Sequence, residues 1–442
     1  MPIEQKFSLT QITDTGRLAQ MTADASQASL LRHRDFVRLW AAETISQFGT
    51  QVTFLALPLA AILVLRANSF QIGLIDASQS LPFLLIGLPA GAWIDRLRRR
   101  PLMIASDVGR GLALLSVPIA YAAGVLSLPQ LWVVAFVVGA FVVFFDVSYQ
   151  SYLPSLIGEE RLVDGSSKLE ISRSSAAIAG PGIAGALVAT IGAPFAILAD
   201  ALSYFGSAAF IASVRHTEAA PAREGPAGGT SLRREIADGL RFVVGEPRLR
   251  AIALFVAWVN LWIAVIFAVL LLYFVHDLGL GPLAIGAIFA VGNLGWLGGA
   301  LLGDRIPRRF GVGPTLIGTA VIEAFPMFAI VLAPRDAAVP ILMVAWAVFG
   351  FGVVVNNVNQ VAYRQTITAA AMRGRMNASM QVINQGTIPV GAIAGGILGT
   401  MIGLHATFVL GAVGMALAFV PLALSPVRSA SMGRSPAVSK PG

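Results

Sequence analysis

Cysteine is absent from this chain of 442 residues, lysine occurs only as Lys6, Lys168 and Lys440, and charged residues make up just 12%. Without cysteine there are no disulfides, no thiol chemistry and no cysteine-ligated metal, although the absence says nothing about compartment. None of the three lysines sits in a GxxxxGKS or GxxxxGKT loop, so the phosphate cradle of an ATP-driven pump is missing. Energy for any transport work must come from an ion gradient or from the cargo itself. HExxH and GxSxG are missing too, and the four histidines (His33, His216, His276, His405) are scattered without metal-ligand spacing. No cofactor and no metal site is expected, and a membrane enzyme is the weakest of the readings left open. The first 35 or so residues are polar and mixed, with no apolar h-region. A cleavable signal peptide is therefore not expected, and the first apolar run itself must direct insertion.

The shortage of charge matters most. A soluble domain carries roughly 25% charged residues, so most of this surface faces something other than water. Hydrophobic residues make up 56% of the chain, and the mean hydropathy is +0.76. Crossing a bilayer core takes about 20 apolar residues. Runs of that length fall near 37–65, 70–94, 102–124, 129–156, 168–191 and 194–214, and again near 250–275, 282–303, 313–333, 339–365, 376–402 and 405–425. Glycine and proline recur inside them, as in SLPFLLIGLPAG (80–91), AGPGIAG (179–185) and GTIPVGAIAGG (386–396). Such residues break soluble helices, but in a membrane they allow close helix contact and neighbours satisfy the freed backbone groups. The fold class is an all-α membrane protein of twelve transmembrane helices in two pseudo-symmetric six-helix bundles.

The formal net charge is +8, supplied almost entirely by arginine. In a soluble protein this would suggest nucleic acid. Here the arginines cluster in short loops between apolar runs, which points to membrane orientation and away from nucleic-acid binding. With the N-terminus inside, only Arg66 and Arg335 of 31 basic residues fall outside, so both termini are expected in the cytoplasm of a prokaryotic cell, with the bundles in its inner membrane. The longest break between spans begins HTEAAPAREGPAGGTS, a flexible composition. It continues with Leu232, Ile236, Leu240 and Val243 at helical spacing and charged residues on the other faces, the pattern of an amphipathic helix on the inner surface. The expected division is a cytoplasmic tail (1–35), a first bundle (36–214), a linker with that helix (215–249), a second bundle (250–425) and a second cytoplasmic tail (426–442).

One charged phrase occurs at matching places in the two halves: GAWIDRLRRRP at 91–101 and GALLGDRIPRRFG at 299–311. A phrase repeated between apolar spans marks a duplicated bundle, and duplicated bundles of this kind are usually transporters with a site at the repeat interface. Here the chain resembles the major facilitator superfamily, whose signature after span two is Gly, three residues, Asp, Arg, any residue, Gly, Arg, Arg. Gly91, Asp95, Arg96, Arg99 and Arg100 match it, with Arg98 in place of the second glycine; the second copy keeps Asp304, Arg305, Arg308 and Arg309, with Ala300 at the first glycine. Gly180-Pro181 with Gly185 resembles part of the glycine–proline motif of export members. The stretches at 144–187 and 356–399 are similar to the branch of macrolide-type drug efflux proteins and enterobactin-type siderophore exporters.

The resemblance implies export of an amphiphilic small molecule by alternating access, coupled to inward proton flow as an antiporter. It also implies a conformational latch, with Asp95 packing near Arg373–Met376 and Arg99 pairing with Asp146. The second copy has Asn356 and Asn357 where an acid partner would stand. The plainer reading is that these arginines only obey the positive-inside rule. Spans one, four, seven and ten would line the cavity. Span four has no arginine before Asp146, where many proton-driven drug exporters carry one.

An ionisable group at the centre of a membrane helix costs at least about 2.5–3.5 kcal/mol, so each needs a reason. Glu43 begins a polar stripe with Ser46, Gln47 and Thr50 at helical spacing on span one. It is the first candidate proton carrier, against the plainer role of a structural hydrogen bond. Glu323, at the middle of span nine, is the second candidate, and Asp76 the third. Asp76 and Asp200 lie nearer the outer ends of their spans, where an interfacial or hydrogen-bonded role is expected. Asp107 and Arg110, one turn apart, read as a local ion pair. Trp258, Asn260 and Trp262 on span seven, with Asn356, Asn357, Asn359 and Gln360 on span ten, are cavity candidates suited to a bulky amphiphile rather than a small anion. Uptake of a small solute, lipid flipping and a transport-inactive sensor on the same fold stay open. The expected partners are cargo, protons and membrane lipids, and the expected state is a monomer.

Overall fold

The computed structural model describes residues 30–87, 97–216, 218 and 232–430, with no strand among them. Gly91, Asp95 and Arg96 of the first charged phrase lie outside the described residues, as do 1–29, most of the first part of the linker, and 431–442. The first half comprises α1 (Arg34–Leu63), α2 (Ser69–Leu85), α3 (Arg99–Ala122), α4 (Leu128–Ile157), α5 (Leu162–Ile191) and α6 (Ala193–Ser213). Helix α7 (Leu232–Gly245) precedes the second half. That half comprises α8 (Pro247–Leu272), α9 (Pro282–Leu302), the short α10 (Arg305–Phe310), α11 (Val312–Val331), α12 (Ala338–Ile367), α13 (Arg373–Met401), α14 (Leu404–Ala416) and α15 (Val420–Ala423). Among the described residues, eleven helical stretches are long and apolar enough to cross a membrane. The twelfth is α2, which has 17 described residues and whose apolar sequence runs on into the undescribed segment.

Local chemistry sets the ends. Asn68 and Gln71 form a capping box at the start of α2, with reciprocal bonds of 3.0 and 2.9 Å. Gly192, at φ 84°, turns α5 into α6 in one residue, and Gly403, at φ 85°, turns α13 into α14 together with Ile402. Prolines lie inside α1, α2, α3, α4, α5, α11 and α13. Large apolar side chains such as Leu112, Val133, Leu202 and Phe325 stay exposed, forming a surface suited to lipid.

The two halves are wired alike. In the first, α1 packs on α5 and α6, α3 on α4 and α6, and α2 on α4; in the second, α8 packs on α13 and α14, α11 on α12 and α14, and α9 on α12. They meet along two seams, α2 against α13 and α5 against α9. Close approach there depends on glycine. A Cβ on Gly73 would stand 2.4 Å from the Ala392 carbonyl oxygen, one on Gly185 2.5 Å from that of Pro282, and one on Gly286 2.4 Å from that of Pro181. The Ser69 and Thr400 hydroxyls meet at 3.1 Å in the same region. All these contacts lie toward the end opposite the charged phrases. At the basic end α2 and α13 part around a cleft of about 210 Å³, lined by Phe83, Leu84, Asp146, Gln150, Gln381 and Gln385. Among the described residues the halves close on each other at one end and leave this cleft at the other.

Candidate functional site

The polar stripe of α1 leads into a buried charge cluster in the first half. Gln47 Nε2 donates to Glu43 Oε1 at 2.6 Å, while Glu43 Oε2 is buried without a hydrogen-bond partner. One turn further along, Thr50 Oγ1 lies 2.9 Å from the Tyr204 hydroxyl of α6. The Tyr204 ring in turn sits 4.2 Å from the guanidinium carbon of Arg110 on α3, with the Phe145 ring of α4 at 4.5 Å. Arg110 donates to Asp107 Oδ1, and Ser207 Oγ donates to Asp107 Oδ2 at 2.7 Å. Asp107 is fully buried and Arg110 is 4% exposed. The pair expected from sequence is therefore present, but it is no isolated surface pair. The Arg110 charge also acts on Glu43 and on Asp146. Sequence reading found no arginine in span four before Asp146; α3 brings Arg110 over the ring of Phe145, the residue next to Asp146. Its only sequence signal was the spacing of Asp107 and Arg110.

Of the two roles expected of it, Asp200 takes the hydrogen-bonded one and not the interfacial one. It is fully buried between α1 and α6, accepts from Ser203 Oγ at 3.0 Å, and faces Gly49, whose Cβ would lie 2.3 Å from Asp200 Oδ1. Asp76 is not interfacial either. It lines a cavity of about 50 Å³ at the closed end, with Phe54 of α1, Gln79 of α2, Phe267 of α8 and Phe289 of α9 among its neighbours. Glu323 is 2% exposed and wedged between α11 and α12, its Cγ 2.9 Å from where a Gly352 Cβ would stand and its Oε1 without a partner.

Four cavity candidates turn elsewhere. Trp258 Nε1 donates to the Gly414 carbonyl of α14 at 2.7 Å, and the Trp262 ring fills the space a Gly414 side chain would need. Both indoles thus pack on α14, away from the seams. Asn356 Nδ2 donates to Leu316 O (3.1 Å) and Thr319 Oγ1 (2.9 Å) of α11, and Asn359 Nδ2 to Gly303 O (2.8 Å) and Val355 O (2.7 Å). These two amides are 3% and 4% exposed and serve as interhelical ties. Asn260 differs. It is half-buried, shares a face of α8 with Phe267, and donates to Asn384 Oδ1 of α13 at 2.6 Å. Asn384, Gln381 and Gln385 are polar groups that sequence reading missed, because α13 was not counted among the cavity spans. On α12, Gln360 Nε2 donates to Asn357 Oδ1 at 3.3 Å, and Arg364, one turn on, has its Nε buried without a partner.

The expected Arg99–Asp146 latch pair is not formed. Arg99 Nη1 donates to the Ser151 carbonyl at 3.2 Å, five residues nearer the basic end of α4, a rise of about 7.5 Å. Asp146 lines the cleft and is exposed. Glu218 of the linker takes the acid's place: its Oε2 accepts from the backbone nitrogens of Arg99 (2.8 Å) and Arg100 (3.3 Å), capping α3. The Arg100 guanidinium donates to the last carbonyls of α6, Ile211 O at 3.1 Å and Ala212 O at 2.5 Å. In the second copy Arg308 pairs with Asp304 at 3.1 Å on the surface, Arg309 lies 5.6 Å from the Phe310 ring, and Arg305 is exposed.

The profile of a family described as transmembrane secretion effectors matches residues 25–438. A multidrug efflux pump, Tap, of Mycolicibacterium fortuitum is 29% identical over 378 residues, spanning 81% of this chain and 88% of its own. Among solved structures, the nucleoside transporter NupG superposes with a TM-score of 0.73 at 13% identity, covering 88% of this chain and 99% of that one. A bacterial homologue of the iron transporter ferroportin in an inward-facing state gives 0.71 at 17%, covering 89% and 98%. At such identities the two structures speak for the fold alone.

Proposed function

Because the chain belongs to the transmembrane secretion effector family of major facilitator transporters, we propose that it exports amphiphilic small molecules, drugs or siderophore-like compounds, in exchange for protons. The multidrug name of the Tap relative supports that cargo class. The observation that carries the coupling is Glu43, with one oxygen bonded to Gln47 and the other unpartnered beside the Arg110 cluster. Arginine clusters at one end favour placing that end in the cytoplasm, with the bundles in the inner membrane of a prokaryote.

In this reading cargo enters from the parted basic end, the halves rock, and the glycine seams at the other end open. Glu43 gives up a proton inside and takes one from outside. Arg110, paired with Asp107, supplies the positive field that receives the vacated Glu43 charge. The latch implied by the first charged phrase, Asp95 against the start of α13, would belong to the state closed at the basic end.

Purified protein in liposomes, loaded with a fluorescent amphiphile and given a pH gradient, tests this. Glu43→Gln keeps size and most hydrogen bonding but cannot carry a proton, so uphill accumulation should stop while downhill exchange survives. A mutant that still concentrates cargo makes Glu43 structural and moves the role to Glu323. Wild-type movement of cargo only down its own gradient replaces the antiporter with facilitated transport.

A further inference from the structure

The small cavity at the closed end has a wall the coupling mechanism does not use. Asp76 projects into it from α2, and its carboxylate makes no hydrogen bond or ion pair with any described residue. Of the other acids within the spans of this half, Asp107 has Arg110 and Ser207, Asp200 and Glu43 each have a partner for one oxygen in Ser203 and Gln47, and Asp146 opens to the wider basic-end cleft. Glu323 also lacks a partner, but it is sealed against Gly352 with no space beside it. An intramembrane carboxylate without a partner is costly, and a counter-charge brought by a ligand would offset that cost.

Three aromatic rings among the remaining walls suit a cation, the rest being mostly aliphatic. Phe54 and Phe289 meet edge to face at 6.2 Å across the two halves. Trp346 of α12 holds the rings from behind, 4.8 Å from Phe289 and 5.7 Å from Phe267. Ring faces attract ammonium groups, and more strongly when water is excluded. The volume of about 50 Å³ admits one ammonium-sized head and not a whole amphiphile. The rest of such a molecule has a route. Asp76, Gln79 and Phe83 share one face of α2, and Phe83 already lines the larger cleft at the basic end.

We propose that Asp76, with the rings of Phe54, Phe267 and Phe289, binds the protonated amine of a lipophilic monocationic cargo, whose apolar body lies along α2 toward the basic-end cleft. The inference rests on the export reading and narrows its cargo to lipophilic amines. It also gives release a direction. The walls belong to both halves, so opening the closed end separates the rings of α1 from those of α8 and α9 and dismantles the cage around the cation.

The test is equilibrium binding to the purified full chain in detergent with no gradient present, so it is independent of coupling. The probes are dansylcadaverine, a lipophilic primary amine, and its uncharged N-acetyl form. Wild-type protein should bind the amine about tenfold more tightly than the acetylated dye. Asp76→Asn should bring the amine down to the acetylated dye's affinity and leave the latter unchanged. Phe289→Leu, which keeps the carboxylate, should lower amine binding several-fold and decides the matter if Asp76→Asn does not fold. Glu43→Gln should leave amine binding intact. Wild-type protein that shows the amine preference but no proton-driven export in liposomes would remove the coupling reading and keep this site. An amine preference that survives Asp76→Asn, or Phe289→Leu where that variant decides, overturns the proposal. So does a pocket that sodium, replacing potassium, fills in competition with the amine, because the site would then belong to an inorganic ion.

Discussion

Arg110 is the residue on which the buried charge of the first half depends. It holds Asp107 directly, and its field reaches Glu43 and Asp146. Removing one partner of a buried pair leaves the other charge uncompensated, at a cost of about 3–5 kcal/mol. Arg110→Met should therefore lower the thermal midpoint in detergent markedly. Adding Asp107→Asn to it should recover part of the loss, because the orphaned charge goes too. Equal midpoints for single and double variants would show that the pair is not coupled. The residue scale is also where sequence reading met its limit. Asp107 and Arg110 were recognisable as a pair by spacing, but their meeting with Tyr204, Phe145 and Glu43 depends on three other helices. Trp258, Trp262, Asn356 and Asn359 show the same limit from the other side. In a membrane helix the lipid face and the packed faces are both apolar, so period alone does not say whether a polar side chain faces the pathway or a neighbouring helix. Only the helix–helix contacts sort Asn260 from Asn356.

At the scale of elements the spans could be read, and so could the places of close helix contact, though not which helices meet there. Apolar runs of membrane length leave little freedom, and glycine-rich stretches such as AGPGIAG proved to be where α5 meets α9. At Gly286 the neighbour is backbone, the Pro181 carbonyl, which cannot rotate out of the way. Gly286→Leu should therefore force the closed end apart. Spin labels on cysteines placed at Ile191, an exposed end of α5, and at Gly281, which has open space around its Cβ, report the separation. A longer distance in the variant is expected, and an unchanged one would mean that the seam yields elsewhere. The linker connects elements differently. Glu218 caps α3 of the first half, while α7 rests on α13 of the second, where a Gly239 Cβ would stand 2.6 Å from the Arg375 carbonyl oxygen. Read from sequence, α7 lies on the membrane surface; in the structure it also packs on protein. Loss of the cap in Glu218→Ala should cost about 0.5–2 kcal/mol. Faster amide exchange in the first turn of α3 would register it, and unchanged exchange there would mean that water caps the helix equally well.

The whole molecule is symmetric in its wiring and asymmetric in its charge. Counted from the aspartates of the two phrases, Thr319 of α11 stands where Arg110 stands on α3, and Asn356 binds it at 2.9 Å as a neutral pair. The first half holds a paired charge cluster at the depth where the second holds amides and hydroxyls with the single acid Glu323 one turn on, which favours coupling chemistry in the first half and leaves Glu323 as its alternative in the second. The direction in which such a machine works depends on which end faces the cytoplasm. Arginine asymmetry favours the basic end, since a bundle inserted the other way would carry its arginine clusters across the membrane. The chain has no cysteine, so single introduced thiols report without background. Gly374 at the basic end and Gly281 at the closed end both have open space where a side chain would go, so Gly374→Cys and Gly281→Cys should fold normally. In intact cells a membrane-impermeant maleimide should label Gly281→Cys and leave Gly374→Cys untouched until the membrane is permeabilised. Labelling of Gly374→Cys from outside would invert the topology. The parted cleft would then open to the exterior, and the same structure would describe uptake instead of export.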